Sequence, residues 1–354
     1  MGNIIHHGQF SKTLNQIAGM MVMVGTTFLG LLLVTFLIGR VVPIDPVLAV
    51  VGDKASAEVY QRARLELGLH LPLGQQFFIY VKAILAGDFG VSVLTARPVI
   101  EDIARVFPAT VELSVIATLI GVFSGIPLGI FSAVRQGSLL DHMARIIGLI
   151  GYSLPIFWLG LMGIMVFYAH LNLLPGPGRL DVFYENMVDP VTGFLLIDCI
   201  LAGQWGIFRN ALSHIILPAA LLGYYSMAYL SRMTRSFMIE QLRQEYILTA
   251  RVKGIAEWRV IWGHALGNCR IPLITVIALS FGSLLEGSVL TETVFSWPGL
   301  GRYLTNSLLN ADMNAVLGST LVVGAIFLGI NLLSDFFYEF LDPRARSLFK
   351  NPLP

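Results

Sequence analysis

Charge is what this chain of 354 residues has least of. Asp, Glu, Lys and Arg together make up 13% of it, against roughly a quarter in soluble domains. So few ions cannot clothe a large water-facing surface, and 55% of the residues are hydrophobic, with a mean hydropathy of +0.74. Cysteine is scarcer still: Cys199 and Cys269 are the two. The topology read below puts them on opposite sides of a membrane, so neither a disulfide nor a metal site is expected. There is no long basic run and the formal net charge is +1, which argues against nucleic-acid binding. A P-loop needs a lysine directly after glycine. The lysines are Lys12, Lys54, Lys82, Lys253 and Lys350, none of them preceded by glycine, so the chain carries no ATPase motif. H-E-x-x-H, G-x-S-x-G and C-x-x-C are absent too. The pair His6–His7 reads as an incidental tail. His142, His170, His214 and His264 lie at span ends, where structural roles are expected.

What the chain does have is long apolar segments. About 20 apolar residues cross the ~30 Å hydrocarbon core as a helix. Six segments qualify: Ala18–Gly39, Ala109–Val134, Met143–Ala169, Leu212–Leu230, Pro272–Thr291 and Ala315–Phe340. The fold class expected is therefore an all-α polytopic membrane protein. The first segment is too long for a signal-peptide core and lacks a clear cleavage site after it, so it reads as a retained span. Residues 1–17, 135–142, 231–271 and 341–354 would share one side, where Lys and Arg are denser than in residues 40–108 and the other outer segments. By the positive-inside rule that side is cytoplasmic, with both termini on it. Residues 109–340 then form the core transmembrane domain, and residues 40–108 a sizeable extracytoplasmic segment.

The stretch "EYILTARVKGIAEWRVIWGHAL", Glu245–Leu266, is polar, basic and aromatic between two apolar spans. Glu240–Val252 can form a helix with Leu242, Tyr246, Thr249 and Ala250 on one face. Arg251 and Lys253 suit its C-terminal end, and Gly254 a left-handed closing turn. A second short helix would place Trp258, Ile261, Trp262 and Ala265 together. The pattern fits either a loop lying on headgroups or a docking surface for a cytoplasmic partner.

Ionisable groups at membrane depth are costly and face a bundle interior or an aqueous path. Glu112 follows Pro108 near the outer end of the second span and reads as an anchor. Glu286 lies about 21 Å beyond Pro272 along its helix at ~1.5 Å per residue. It reads as a buried paired carboxylate or as a pathway group attracting a peptide amino terminus. Asn331, Asp335 and Glu339 share a face at i, i+4 and i+8 and read as a polar seam near an inner gate. Pro127 and Ser153–Pro155 should bend their helices. In "FSWPGLGR", Pro298, Gly299 and Gly301 favour a tight turn, and Trp297 suits the interface or a re-entrant cap.

"EYILTARVKG", with "HALGNCRIPLITVIALSFGSLLEGSVLTETVFSWPGLGR", resembles the membrane subunits of bacterial ABC importers of the dipeptide/oligopeptide/nickel class. "ELGLHLPLGQQF", "GDFGVS", "FPATVELS", "GIPLGIFSAVRQGSLLDH", "GYSLPIFWLGL" and "NLLSDFFYEFLDPRAR" extend the resemblance over roughly Pro43 to Arg346. "VDPVTGFLLIDCILAG" looks like the dipeptide-permease subunits in particular.

The resemblance implies a type I importer permease fold in the bacterial inner membrane. Glu245, Tyr246, Thr249, Ala250, Arg251, Lys253, Gly254 and Trp258 would couple to an ATPase. Trp297, Pro298 and Gly299 would belong to an outer gate, with Glu112, Glu286, Asn331 and Asp335 along the path. Implied partners are a homologous second permease, two ABC ATPase subunits, an extracytoplasmic solute-binding protein and the lipid bilayer. ATP and Mg2+ would sit in the ATPases and no cofactor in this chain. Three positions depart from the family pattern: Ala256 stands where a serine cap is usual, and Glu286 and Glu339 where it has no acid. The rival reading is an ion-coupled secondary transporter or channel, with Glu286 or Asp335 titrating and no ATPase partner.

Overall fold

The computed structural model describes residues 2–41, 46–52, 55–66 and 68–341; within these, side chains at 2–18, 20, 40, 41, 46, 49, 50 and 334–341 lie outside the description. Expectations for His6, His7, Lys12, the C-terminal tail and the side chains of Asp335 and Glu339 therefore fall outside the described residues. Among those residues the secondary structure is helical, apart from one isolated bridge between Val91 and Pro98. In chain order the helices are α1 (Gly2–Val41), α2 (Pro46–Val51), α3 (Ala57–Glu66), α4 (Leu73–Leu85), α5 (Val99–Val134), α6 (Leu139–Ser153) and α7 (Ile156–Gly163). They continue with α8 (Leu195–Leu201), α9 (Trp205–Leu242), α10 (Glu245–Val252), α11 (Glu257–Arg259), α12 (Leu266–Val294), α13 (Leu300–Leu309) and α14 (Met313–Leu341).

Among the described residues, five helical segments are long and apolar enough to cross a membrane: Met21–Gly39, Val99–Val134, Trp205–Leu242, Glu257–Val294 and Met313–Leu333. The sixth expected span is broken. Leu139–Ser153 and Ile156–His170 meet at 97°. Pro155 has no N–H to continue the ladder, and Leu154 is extended at ψ 133°. Pro127 behaves differently, since α5 runs unbroken through both Pro108 and Pro127. Several helices also outrun their expected spans; α5 begins at Val99 and α9 continues to Leu242.

The chain divides into two compact units. In the first, residues 1–103 with 306–328, α1 packs on α4 through Phe36, whose ring lies 5.3 Å from Phe77 and 5.7 Å from Tyr80. Thr35 and Tyr80 share a 3.1 Å hydrogen bond there. The loop before α5 is pinned by the buried Asp312, which accepts from Ser92 Oγ at 2.5 Å and Leu94 N–H at 3.2 Å.

The second unit, residues 104–305 with 329–354, is organised around α9. Gly121, Gly125 and Gly129, one every four residues on α5, face it. A Cβ on Gly121 would run into Ser226, one on Gly125 would stand 2.8 Å from Met227 O, and one on Gly129 2.6 Å from Ser231 O. This is the small-residue seam by which membrane helices approach closely without a hydrophobic driving force between them. Asp141 locks one end of the same unit. It accepts from Arg235 Nε at 2.8 Å and Nη2 at 3.0 Å, from Ser132 Oγ at 2.5 Å, and from the Gly137 N–H at 2.9 Å. One buried carboxylate thus ties the end of α5, the start of α6 and the far part of α9.

Candidate functional site: a short helix at one end of α12 and a carboxylate-capped turn at the other

The segment singled out in the sequence folds as a helix, an elbow and the start of a span. The helix is shorter than expected: α9 ends at Leu242, and α10 starts afresh at Glu245 after an extended Gln244 at ψ 150°. The face it buries also differs. Ile247 and Ala250 are buried with Ile130, Ala133, Met238, Val260 and Cys269, whereas Thr249 is exposed and Tyr246 lies at the edge. Burying Ile247 contributes on the order of 2 kcal/mol. Thr249 bonds only within its own helix, to Glu245 O at 3.0 Å, and Tyr246 donates to Gln241 Oε1 at 2.8 Å.

Gly254 closes the helix at φ +74°, as the sequence indicated, with nothing within 4 Å of where a Cβ would sit. The second short helix is not separate. α11 passes through a π-helical stretch, Val260–Ala265, directly into α12, giving one helical run from Glu257 to Val294. A wide π turn shifts the face by a fraction of a turn. Val260 and Ala265 are consequently the buried positions, and Trp258 and Trp262 are exposed. Across the elbow Arg251 grips Glu257 with two bonds, 2.6 Å from Nη2 and 3.2 Å from Nε. The Glu257 carboxylate beside it raises the Arg251 pKa above the ordinary arginine value. An exposed pair of this kind is worth well under ~1 kcal/mol, so it sets the angle of the elbow more than its stability.

With one face anchored, α10 presents another. Leu248 is 65% exposed, Val252 81% and Trp258 63%, flanked by Glu245, Lys253 and Arg259. The Arg259 guanidinium lies 5.3 Å over the Trp258 ring. Large apolar side chains clustered on a protruding polar segment are the usual mark of a surface that binds a partner.

At the other end of α12 the "FSWPGLGR" turn is built on a residue the sequence reading passed over. Glu292 is fully buried. Its Oε1 accepts from Ser288 Oγ at 2.9 Å, and its Oε2 from the N–H groups of Gly301 at 2.7 Å and Arg302 at 3.2 Å. Those are the first-turn donors of α13, so Glu292 supplies the acceptors that a helix start lacks. The glycines follow from this. A Cβ on Gly299 would collide with the Glu292 carboxylate and stand 2.5 Å from Thr110 Oγ1, and one on Gly301 would stand 2.5 Å from Val289 Cα. Of the two places expected for Trp297, the interface is not where it lies: it is 1% exposed, its Nε1 donating to Ala109 O at 2.9 Å. Pro298 stays exposed at the tip. The signal was available in "TETVFSWPGLGR": an acid at the end of an apolar helix, directly before a Pro-Gly turn.

Glu112 belongs to the same neighbourhood. Arg179 donates to its Oε2 at 2.5 Å and lies 5.7 Å from the Trp297 ring centroid, while Glu112 Oε1 accepts the Leu196 N–H at 2.8 Å. The pair fastens the long segment before α9 onto α5. Glu286 is placed quite differently. It is exposed and makes no hydrogen bond or ion pair among the described residues. Asn331 is half-buried on α14, and the side chain of Asp335 is outside the description.

Comparison with known proteins is consistent over most of the chain. Residues 125–347 match the family described as binding-protein-dependent transport system inner membrane component, and residues 14–114 match the N-terminal region of the same systems' membrane components. The chain is 45% identical to a probable D,D-dipeptide transport system permease protein, DdpB, of Escherichia coli K12, over 89% of this chain and 92% of that one. It is 44% identical to the dipeptide transport system permease protein DppB of the same strain, over 90% of this chain and 95% of that one. It is 42% identical to a di/tripeptide transport system permease protein of Pseudomonas aeruginosa, over the same shares. A structure of the MetNI methionine ABC transporter in inward-facing conformations is similar in fold, with a TM-score of 0.51 at 16% identity, over 68% of this chain and 96% of that one. The chain belongs to the inner-membrane components of binding-protein-dependent transport systems, the permease subunits of ABC importers.

Proposed function

We propose that this permease forms half of a pathway for dipeptides or closely related short peptides. The other half is a homologous second permease, and an extracytoplasmic binding protein delivers the substrate. Two ABC ATPases, which hold ATP and Mg2+, grip the α10 segments from the cytoplasm. The observation that carries the coupling role is α10 itself, anchored through Ile247 and Ala250 while Leu248, Val252 and Trp258 stand free. The peptide class is supported by the identity to the dipeptide permeases, extending over nine-tenths of the chain.

In this reading each residue has a mechanical task. Leu248, Val252 and Trp258 enter the ATPase groove, and the Arg251–Glu257 clasp holds the elbow while α10 is pushed. No group here does covalent chemistry. Glu286, exposed on α12 and without a partner among the described residues, offers a carboxylate to the cationic amino terminus of a passing peptide. Both termini lie on the ATPase side. Reconstitution with the two ATPases, the second permease and the binding protein tests this. Dipeptide uptake should require ATP and stop when Leu248→Glu is introduced. Uptake driven by an ion gradient without ATPases would overturn the reading in favour of a secondary transporter.

A further inference from the structure

The second unit contains a cavity of about 450 Å3 between α6 and α9, at the end of the spans that leads into α10. Its walls include Arg145, Arg232 and Arg235 together with Leu149, Tyr152 and Ile239. The three arginines are not equivalent. Arg235 is consumed by Asp141 in a two-bond pair. Arg145 only approaches that already saturated carboxylate, at 3.8 Å, and donates no hydrogen bond among the described residues. Arg232 lies 5.0 Å over the Tyr152 ring and 6.0 Å over the Tyr229 ring, again with no acceptor among the described residues. The lining thus carries three guanidinium charges and no acidic residue; Asp141, which pairs with Arg235, lies behind it, and the other two guanidiniums have no hydrogen-bond acceptor among the described residues.

A free pair of guanidiniums facing a cavity is arranged for an anion with several acceptor oxygens. The rest of the wall selects which kind. Leu149, in the cavity wall, is also largely exposed, as are Ile146 and Ile150 on the same helix. Arginine and tyrosine heads above such an apolar wall match the boundary between headgroups and acyl chains. Basic pockets between membrane helices recognise anionic lipid headgroups by this combination. We propose that the cavity binds an anionic phospholipid, its phosphate between Arg145 and Arg232 and one acyl chain along Leu149 and Ile239. Occupancy would hold α6 against α9 beside the Asp141–Arg235 lock, and so near the root of α10.

The test uses the assembled transporter in detergent, titrated with phosphatidylglycerol or phosphatidylcholine, with bound lipid counted by native mass spectrometry. Phosphatidylglycerol should be retained preferentially, and Arg145→Gln and Arg232→Gln should each lower its retention about fivefold, as expected for one arginine at a membrane surface. Leu149→Trp keeps every charge but fills the cavity, and should lower retention as well, with the melting temperature of each variant confirming its fold. Equal retention of the two lipids, or unchanged phosphatidylglycerol binding in Leu149→Trp, would overturn the proposal. So would displacement by inorganic phosphate at equal concentration, since the acyl chain would then contribute nothing. Displacement by a dipeptide would assign the cavity to the transport path instead.

Discussion

Glu292 Oε2 lies 2.7 Å from the backbone nitrogen of Gly301, joining the last turn of the membrane helix α12 to the first turn of the short helix α13. The bond leaves no room for a side chain on Gly299, because the carboxylate occupies that space. Glu292→Ala would strand three donors in a buried site and should destabilise the purified permease by roughly 3 kcal/mol. Glu292→Gln, which keeps an acceptor, should cost less, and Gly299→Ala should destabilise by collision. Thermal unfolding in detergent measures all three. An unchanged melting temperature for Glu292→Ala would mean that the cap is dispensable.

The α5 seam predicts a contrast between glycines. A Cβ on Gly125 would stand 2.8 Å from the α9 backbone, so Gly125→Ala should cost about 1–3 kcal/mol through overpacking. Gly267 lies in α12, and a Cβ added there would have no other part of the protein within 4 Å. Gly267→Ala should be neutral or stabilising by up to about 1 kcal/mol, because alanine loses less entropy in a helix. Equal melting temperatures for the two variants would show that the seam is not tight.

For α10, the fold and the proposed coupling role separate by face. Ala250 is buried, so Ala250→Arg should damage folding itself. Leu248 and Val252 are exposed, and Leu248→Glu or Val252→Glu should leave stability within about 0.5 kcal/mol. ATP-driven uptake should nevertheless fall in both. Parallel measurement of unfolding and of ATPase activity with and without binding protein checks this.

Glu286 predicts the reverse of Glu292. It is exposed and without a partner among the described residues, so Glu286→Gln should not move the melting temperature. Uptake should drop severalfold for peptides with a free amino terminus and little for N-acetylated ones. Competition between the two peptide types in proteoliposomes is the measurement; an unchanged preference would remove Glu286 from the pathway.

The apolar segments were legible in the sequence because lipid imposes a length and a composition on every span. Gly254 was legible because a left-handed turn strongly favours glycine. The buried face of α10 was harder to read. An eight-residue helix holds barely two turns, and Ile247 is as apolar as Leu248, so periodicity cannot say which one meets α5 and α9. The π turn at Val260–Ala265 has no local sequence mark, yet it rotates Trp258 and Trp262 outward. Glu292 was missed for a different reason. Its role depends on Gly301, nine residues further on, and on Thr110 in another helix, and no spacing rule links them.

The helical run from Glu257 to Val294 has one further consequence. At ~1.5 Å per residue it is a rod nearly 60 Å long. Trp258 stands at one tip and Glu292 beside the other, with no loop between them. A torque applied at the Arg251–Glu257 elbow would meet no loop; the compliant points of the run are the π turn, a few residues from the elbow, and Pro272, which interrupts the hydrogen-bond ladder. What travels on is a tilt or a twist of the whole rod, and the "FSWPGLGR" turn, clamped to its far tip by a single carboxylate, must follow.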